Sequence, residues 1–280
     1  MKKCISKENR KLLALDIDGT LVTSDKIISP ATKAAIIRIM EEGHIVMLAS
    51  GRPQAGLRQC AQALELEKYG GYLLSYNGAK ISSCKEKKDL FNLYLPTDIP
   101  GKLYDFAKKN GLGLLIYEET RVTSAFPPDS FVEQASIRNQ LPIWVAGPEQ
   151  FPSYVNFPVN KCLLTAEPAA AQKAEQLLKE IYGDTLSIYR SEPFFLEVMP
   201  PNIDKGQSID RVLDTLGVLW ENTICCGDGL NDISMIRYAK TGVAIQNSCS
   251  DLKLYADYIT RADNDHDGIV EVIQTFITGN

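Results

Sequence analysis

No run of about 18 apolar residues occurs anywhere in the chain, so no segment has the length a membrane-spanning helix needs. There is no CxxC pair, only two histidines are present, and the seven cysteines are scattered (Cys4, Cys60, Cys84, Cys162, Cys225, Cys226 and Cys249). Both absences speak against zinc and against a disulfide framework. Positive charge is not in excess. The formal net charge is -5, and the one basic cluster, "KEKK" at Lys85 to Lys88, contains a glutamate and reads as a solvated turn. A general attraction to nucleic acid or to an anionic membrane is therefore not expected. No nucleotide P-loop pattern GxxxxGK is found, and "GDGLND" lacks the third glycine of a dinucleotide fingerprint. Fixed-period repeats and low-complexity segments are missing too. The N-terminal "MKKCISKENRK" is basic but no apolar core follows it, so the expected location is the cytoplasm.

What is present is an alternation. An apolar fraction of 45% over 280 residues supports a sizeable core. "KLLAL" reads as a buried strand, and "SPATKAAIIRIMEEG" as a helix with Ser29 at the N-cap, Pro30 in the first turn and Gly43 past the end. "HIVMLAS" is a second strand, "GRPQAGLRQCAQALELE" a helix, and "GYLLSYNGAKI" a strand running into an Asn-Gly turn. This rhythm predicts an α/β fold, a parallel sheet with helices on both faces. It returns late in the chain with helix "DKGQSIDRVLDTLG", strand "NTICCGDG", helix "NDISMIRYA", strand "GVAI" and closing helix "DGIVEVIQTFIT". Cys225 and Cys226, adjacent in a strand, should point to opposite faces as small core residues of a reducing compartment.

Between these halves the texture changes, with shorter strands, more aromatics and most of the prolines. Two helix-then-two-strand units are legible there, "DIPGKLYDFAKKN" with "GLGLLIYEETRVTSA", and "EPAAAQKAEQLLKEIYG" with "LSIYR" and "FFLEVMP". The expected organisation is a discontinuous domain of residues 1–82 and 201–280 carrying an inserted α+β domain at 83–200.

The chemistry gathers at strand ends, where open α/β sheets bind ligands. The first strand runs into "DIDGT", and extended geometry would bring the Asp16 and Asp18 carboxylates to one side. Two close anions need a cation nearby. Ser50 and Gly51 end the second strand in "ASGR", and Asp228, Asn231 and Asp232 follow the late strand in "GDGLND". Lys205 in "DKG" opens a helix. This set suits phosphoryl transfer. Asp16 could attack phosphorus while magnesium, held by Asp16 and Asp228, offsets the repulsion. Lys205, the Ser50 hydroxyl and backbone N–H groups could hold the phosphoryl oxygens. Asp18 could protonate the leaving alkoxide and then deprotonate water.

"DIDGTL", "ASGR", "DKG" and "GDGLND", in that order, resemble the four motifs of the haloacid-dehalogenase-like hydrolases, in particular the Cof-type subgroup (subclass IIB), whose cap lies between the second and third motifs. "SYNGA" at Ser75 to Ala79 and "DHDGIVEVI" resemble further elements of that subgroup. The resemblance implies a Rossmann-like parallel-sheet core with an inserted cap, and a magnesium-dependent phosphatase acting through an aspartyl phosphate. By it Asp16 is the nucleophile and a metal ligand, Asp18 is the acid/base and binds metal through its carbonyl, and Asp228 is the third protein ligand. The Ile17 backbone, Ser50, Gly51, Lys205 and Asn231 would contact phosphate, with Asp232 supporting them from behind. The expected partner is a small phosphorylated metabolite, a sugar phosphate or similar, and neither nucleic acid nor membrane.

Other readings stand beside this one. Ser50 is also placed to cap the helix after "GRP", and Asp232 to favour a helix dipole. "DNDHDGIVEVIQ", Asp263 to Gln274, has the acids and glycine of an EF-hand loop but ends in Gln274; the plainer reading is a polar turn with Asp267 capping the last helix. A phosphomutase or phosphotransferase would use the same intermediate, and a phosphometabolite sensor the same binding groups. In the insertion, Tyr117, Arg121 and Arg190 fall near strand ends or turns as candidate substrate contacts.

Overall fold

The computed structural model describes residues 5–147 and 149–279, so Cys4 and the start of the N-terminal basic segment lie outside the described residues. In chain order the strands are β1 (Leu12–Leu15), β2 (Ile45–Ala49), β3 (Tyr72–Ser75), β4 (Lys80–Ser83), β5 (Lys88–Asn92), β6 (Gly113–Tyr117), β7 (Val122–Ser124), β8 (Ile143–Val145), β9 (Cys162–Thr165), β10 (Ser187–Glu192), β11 (Phe195–Met199), β12 (Thr223–Gly227), β13 (Thr241–Ala244) and β14 (Tyr258–Ile259). They form two sheets, and the chain divides into two compact units. The first comprises residues 1–51, 57–91 and 204–280, the second residues 52–56 and 92–203.

The first unit holds an eight-stranded sheet ordered β14-β13-β12-β1-β2-β3-β4-β5. From β14 to β3 all neighbours are parallel; β4 returns antiparallel to β3. β1 is central, and the strand order reverses beside it, because the chain first builds outward to β5 and later adds β12 to β14 on the other side. All four β1 residues are fully buried, as a strand covered on both faces requires. Leu13, Leu15, Val46, Leu48 and Cys226 face one layer, packed with Ile36 and Ile39 of the helix Pro30–Glu42 and with Ile269 and Val272 of the helix Gly268–Ile273. Leu12, Ala14, Met47, Ala49 and Cys225 face the other, packed with Ile209, Leu213, Met235 and Ile236. Each fully buried leucine contributes roughly 1.5–3 kcal/mol by leaving water. The adjacent cysteines do point to opposite faces.

Helix Pro30–Glu42 has the predicted ends. The Ser29 hydroxyl accepts from the Thr32 N–H at 3.1 Å, and Gly43 closes the helix at φ 103°. The expected single helix after "ASGR" is instead broken into a 3-10 turn Gln54–Leu57 and two short helices, Arg58–Ala63 and Leu66–Tyr69. Leu64 and Leu66 are both fully buried in the same core, yet residues two apart on a helix diverge by about 200°. A left-handed Glu65, φ 53°, turns both inward. The helix read from "DKGQSIDRVLDTLG" is likewise divided, into Lys205–Asp210 and Leu213–Leu216, and the closing helix widens to a π-helix at Gln274–Thr278.

The second unit holds a six-stranded sheet ordered β10-β11-β9-β6-β7-β8, antiparallel except for β7 with β8. The helices Ile99–Asn110 and Pro168–Tyr182 pack on one face through Leu103, Ala107, Ala174 and Leu178. Leu115, Leu163 and Phe195 face the opposite way, against Val132 and Ala135 of the helix Ser130–Asn139. Both helix-then-two-strand units are present. The strand β9 between them and the helix Ser130–Asn139 with β8 were not legible. In the sheet order the first unit runs on through β5, past residue 82.

Candidate active site

The site begins where β1 stops. The Asp16 N–H still bonds to the Cys226 carbonyl at 3.0 Å, extending the ladder by one residue. The chain then turns, and the Ile17 carbonyl accepts from the N–H groups of Leu21 and Val22, each at 3.0 Å. Gly19 sits at φ 78°, where a methyl group would lie 2.4 Å from Asp228 Oδ2. Only glycine suits both the backbone and the close approach. Beside it the Thr20 hydroxyl donates to Asp228 Oδ1 at 3.0 Å, fixing the carboxylate that follows β12 against the turn that follows β1.

Lys205 joins the other strand ends. It opens the helix Lys205–Asp210, whose N-cap is Asp204, and its side chain is fully buried. The ammonium lies 2.7 Å from Asp16 Oδ1, 2.5 Å from Asp232 Oδ1 and 2.8 Å from the Ala49 carbonyl at the end of β2. Asp232, also buried, uses its second oxygen to accept from the N–H groups of Asp228 and Gly229 at 3.1 and 3.0 Å. It thus orients both the lysine and the loop that carries Asp228.

Charge is unbalanced here. Carboxylate oxygens of Asp16, Asp228 and Asp232 all lie within 4.8 Å of one another, against the single ammonium of Lys205. Burial pushes the Asp16 carboxyl well above the usual range, the charges of Asp232 and Asp228 add to this, and Lys205 opposes it. Asp228 is pushed up to about 6, by burial first and Asp232 second, with the Thr20 hydroxyl pulling the other way. Burial draws Lys205 down, but Asp16 and Asp232 outweigh it and hold the ammonium above its ordinary value. Fully ionised, three acids with one base would leave two negative charges over, and the donors are all oxygen. That donor set fits a hard divalent cation such as magnesium.

The remaining residues read from the sequence lie around this cluster. Ser50 is buried and donates its N–H to the Leu74 carbonyl at 2.8 Å. It caps no helix, since the first turn after it starts only at Gln54. Asn231 is exposed, with its amide donating to Asn77 Oδ1 at 3.2 Å. The Asp18 carboxylate is not one of the three clustered acids; it pairs with Lys26 at 3.0 Å, and its charge still reaches Asp228. Thr20, Lys26 and the part played by Asn77 were not foreseen. A threonine after "DG" carries no signal of its own, and these partners are tertiary.

The EF-hand pattern dissolves into separate bonds. Asp263 accepts from the N–H groups of Asp265 and His266, Asp265 from the N–H and hydroxyl of Ser24, and Asp267 from the hydroxyls of Ser29 and Thr32. Asp267 holds the N-cap position at φ 64° but makes no capping bond, because its carboxylate is taken by the Pro30–Glu42 helix start. In the second unit, Arg121 pairs with Glu118 at 3.0 Å and lies 4.3 Å from the Trp144 ring, Arg190 pairs with Glu175 at 2.7 Å, and the Tyr117 ring faces Lys161 at 5.3 Å. Each therefore has a partner within its own unit.

With this geometry in hand, comparison with known proteins is decisive as to family. A model of the haloacid dehalogenase-like hydrolases matches residues 13–273. The chain belongs to that family. Its place is the Cof-type subclass IIB, and it is an enzyme of the phosphatase type. A haloacid dehalogenase-like hydrolase of Bacteroides thetaiotaomicron is 36% identical in sequence and superposes with a TM-score of 0.90, covering 95% of this chain and 99% of that one. A sugar phosphatase of HAD subclass IIB is 27% identical with a TM-score of 0.78, over 95% and 98% of the two chains. The 5-amino-6-(5-phospho-D-ribitylamino)uracil phosphatase YcsE of Bacillus subtilis strain 168 is 27% identical over 271 residues, 95% of this chain and 96% of its own. Among the described residues no helix is long and apolar enough to cross a membrane.

Proposed function

We propose that the protein is a magnesium-dependent phosphatase that hydrolyses small phosphorylated metabolites, a sugar phosphate or a similar ester, through an aspartyl phosphate on Asp16. The observation that carries this reading is the buried Lys205 ammonium, 2.7 Å from Asp16 at the carboxyl end of the central strand. The names of its relatives, a sugar phosphatase and a phosphoribitylaminouracil phosphatase, support small phosphate esters as the substrate class.

Asp16, the Asp18 carbonyl and Asp228 would hold the magnesium ion, since Asp232 is already engaged by Lys205 and two backbone N–H groups. When bound, the ion supplies positive charge that offsets the repulsion between a carboxylate and a phosphoryl group. The residues divide the remaining work. Asp16 attacks phosphorus, the bond from phosphorus to the leaving oxygen breaks, and Asp18 gives that oxygen a proton. Lys205, the Ser50 hydroxyl, the backbone N–H groups of Ile17 and Gly51, and the Asn231 amide take the phosphoryl oxygens. Asp18 then removes a proton from water, whose oxygen attacks phosphorus. The bond to Asp16 breaks, orthophosphate leaves and both side chains are restored.

The inserted residues would act as the cap that the resemblance implies, distinguishing one ester from another. The described cysteines are all free thiols, which suits a reducing compartment, and we assign the protein to the cytoplasm. A panel of phosphate esters assayed for phosphate release, with magnesium and with chelator, tests the reading. Release is expected only with magnesium and only when Asp16 is intact; a fully active Asp16→Asn protein, or a rate that ignores chelation, refutes it.

A further inference from the structure

The turn after β3 is the most strained stretch of backbone in the first unit. Tyr76, Asn77 and Gly78 stand in succession at φ 52°, 52° and 108°. A buried tyrosine in the left-handed region is costly, of order 1–3 kcal/mol, and such conformations persist where surrounding structure demands them. What this turn does is put Asn77 where it meets three of the groups assigned to phosphate. Its N–H donates to the Ser50 carbonyl at 3.0 Å. Its Oδ1 accepts from the Asn231 amide at 3.2 Å. Its side chain also lies against Gly51, so closely that a methyl group there would be 3.0 Å from Oδ1 and 3.1 Å from Nδ2.

We infer that Asn77 is a positioning residue for the phosphoryl site, clamping the ends of β2 and the loop after β12 into one arrangement by holding Ser50, Gly51 and Asn231 together. The inference rests on the phosphatase reading above and adds a residue to it. Asn231 is the member that most needs such a clamp. It is exposed, on a short 3-10 turn, Leu230–Asp232, and its amide gains a fixed direction from Asn77. Gly51 has a matching reason to be glycine, since a Cβ there would press on the Asn77 amide at 3.0 Å. Asparagine in turn is suited to position 77, because it tolerates the left-handed backbone and carries an acceptor of the right reach.

Asn77→Gly is the informative variant, since glycine keeps the left-handed turn and removes only the amide. The measurements are orthophosphate affinity by calorimetry in the presence of magnesium, and kcat and KM with p-nitrophenyl phosphate. The expected result is a loss of about 10- to 100-fold in kcat/KM, the usual cost of removing a group that orients a ligand-contacting residue, with weakened orthophosphate binding and an unchanged melting transition. Asn231→Ala should cost a similar factor. The double variant should lose less than the product of the two single losses, because the part of Asn77's action that passes through Asn231 is already gone in Asn231→Ala. Losses that multiply in the double variant, or wild-type orthophosphate affinity in Asn77→Gly, overturn the inference while the phosphatase reading stands. A wild-type protein that neither releases nor binds orthophosphate overturns both.

Discussion

Two lysines are buried among the described residues, one in each unit, and their company differs. Lys161, in the second unit, meets Glu197 at 2.7 Å, a carboxylate that also accepts from the Ser191 hydroxyl. One charge answers one charge. Lys205, in the first unit, meets two carboxylates, with the third acid of the cluster close by. A matched pair is a closed device that can hold a fold in register. An unmatched cluster is relieved either by taking up protons, the direction in which Asp16 and Asp228 are pushed, or by further positive charge, and its oxygen donors could hold a metal ion.

The largest expected effect lies in the unmatched cluster. Asp16→Asn should lower turnover on the order of 10⁴-fold, as loss of a nucleophile does, while leaving the melting transition equal or higher because a buried like charge is gone. Gly19→Ala comes next, since its methyl group would strike Asp228 in a turn already at positive φ; circular dichroism should show a folded protein with the magnesium response of its melting temperature mostly lost. Removing lysines sharpens the contrast between the units. Lys161→Met alone should cost about 3–5 kcal/mol in chemical denaturation, whereas Lys161→Met with Glu197→Leu should restore most of that, as replacing a closed buried pair by apolar groups often does. Lys205→Met should not be rescued in activity by any such partner change. Magnesium at about 100 times its dissociation constant should stabilise the wild type by about 2.7 kcal/mol, with no comparable effect in Asp228→Asn. The smallest effect is at the surface. Lys26→Ala breaks an ion pair whose lysine is 63% exposed and should move stability by less than about 0.5 kcal/mol.

The parts of the fold legible in the sequence were those set by local chemistry. Ser29, Pro30 and Gly43 bound their helix because capping and backbone freedom act within a few residues. The run Leu12 to Leu15 announced a covered strand, and the acids after it announced its carboxyl end. Glu65 could not be read, because nothing local distinguishes it; its left-handed conformation is imposed by two leucines seeking the same core. The meeting of Asp16, Lys205 and Asp232 spans up to 216 positions, and only the four short motifs hinted at it. Asn77 illustrates the limit well. "NG" signalled a turn, while the donor to the Asn77 side chain, the Asn231 amide, lies 154 positions away.

Residues 52–56 count with the second unit, where Ala55 packs beside Leu115 and Phe195 and Gly56 approaches Asn139. The polypeptide therefore passes from one unit to the other four times rather than twice. Cutting out 92–203 and splicing the ends would strip this short strap of its packing, and the strap is covalently joined to Gly51. A trimmed variant of that kind would confound removal of the second unit with disturbance of the chain next to Gly51, one of the proposed phosphate contacts.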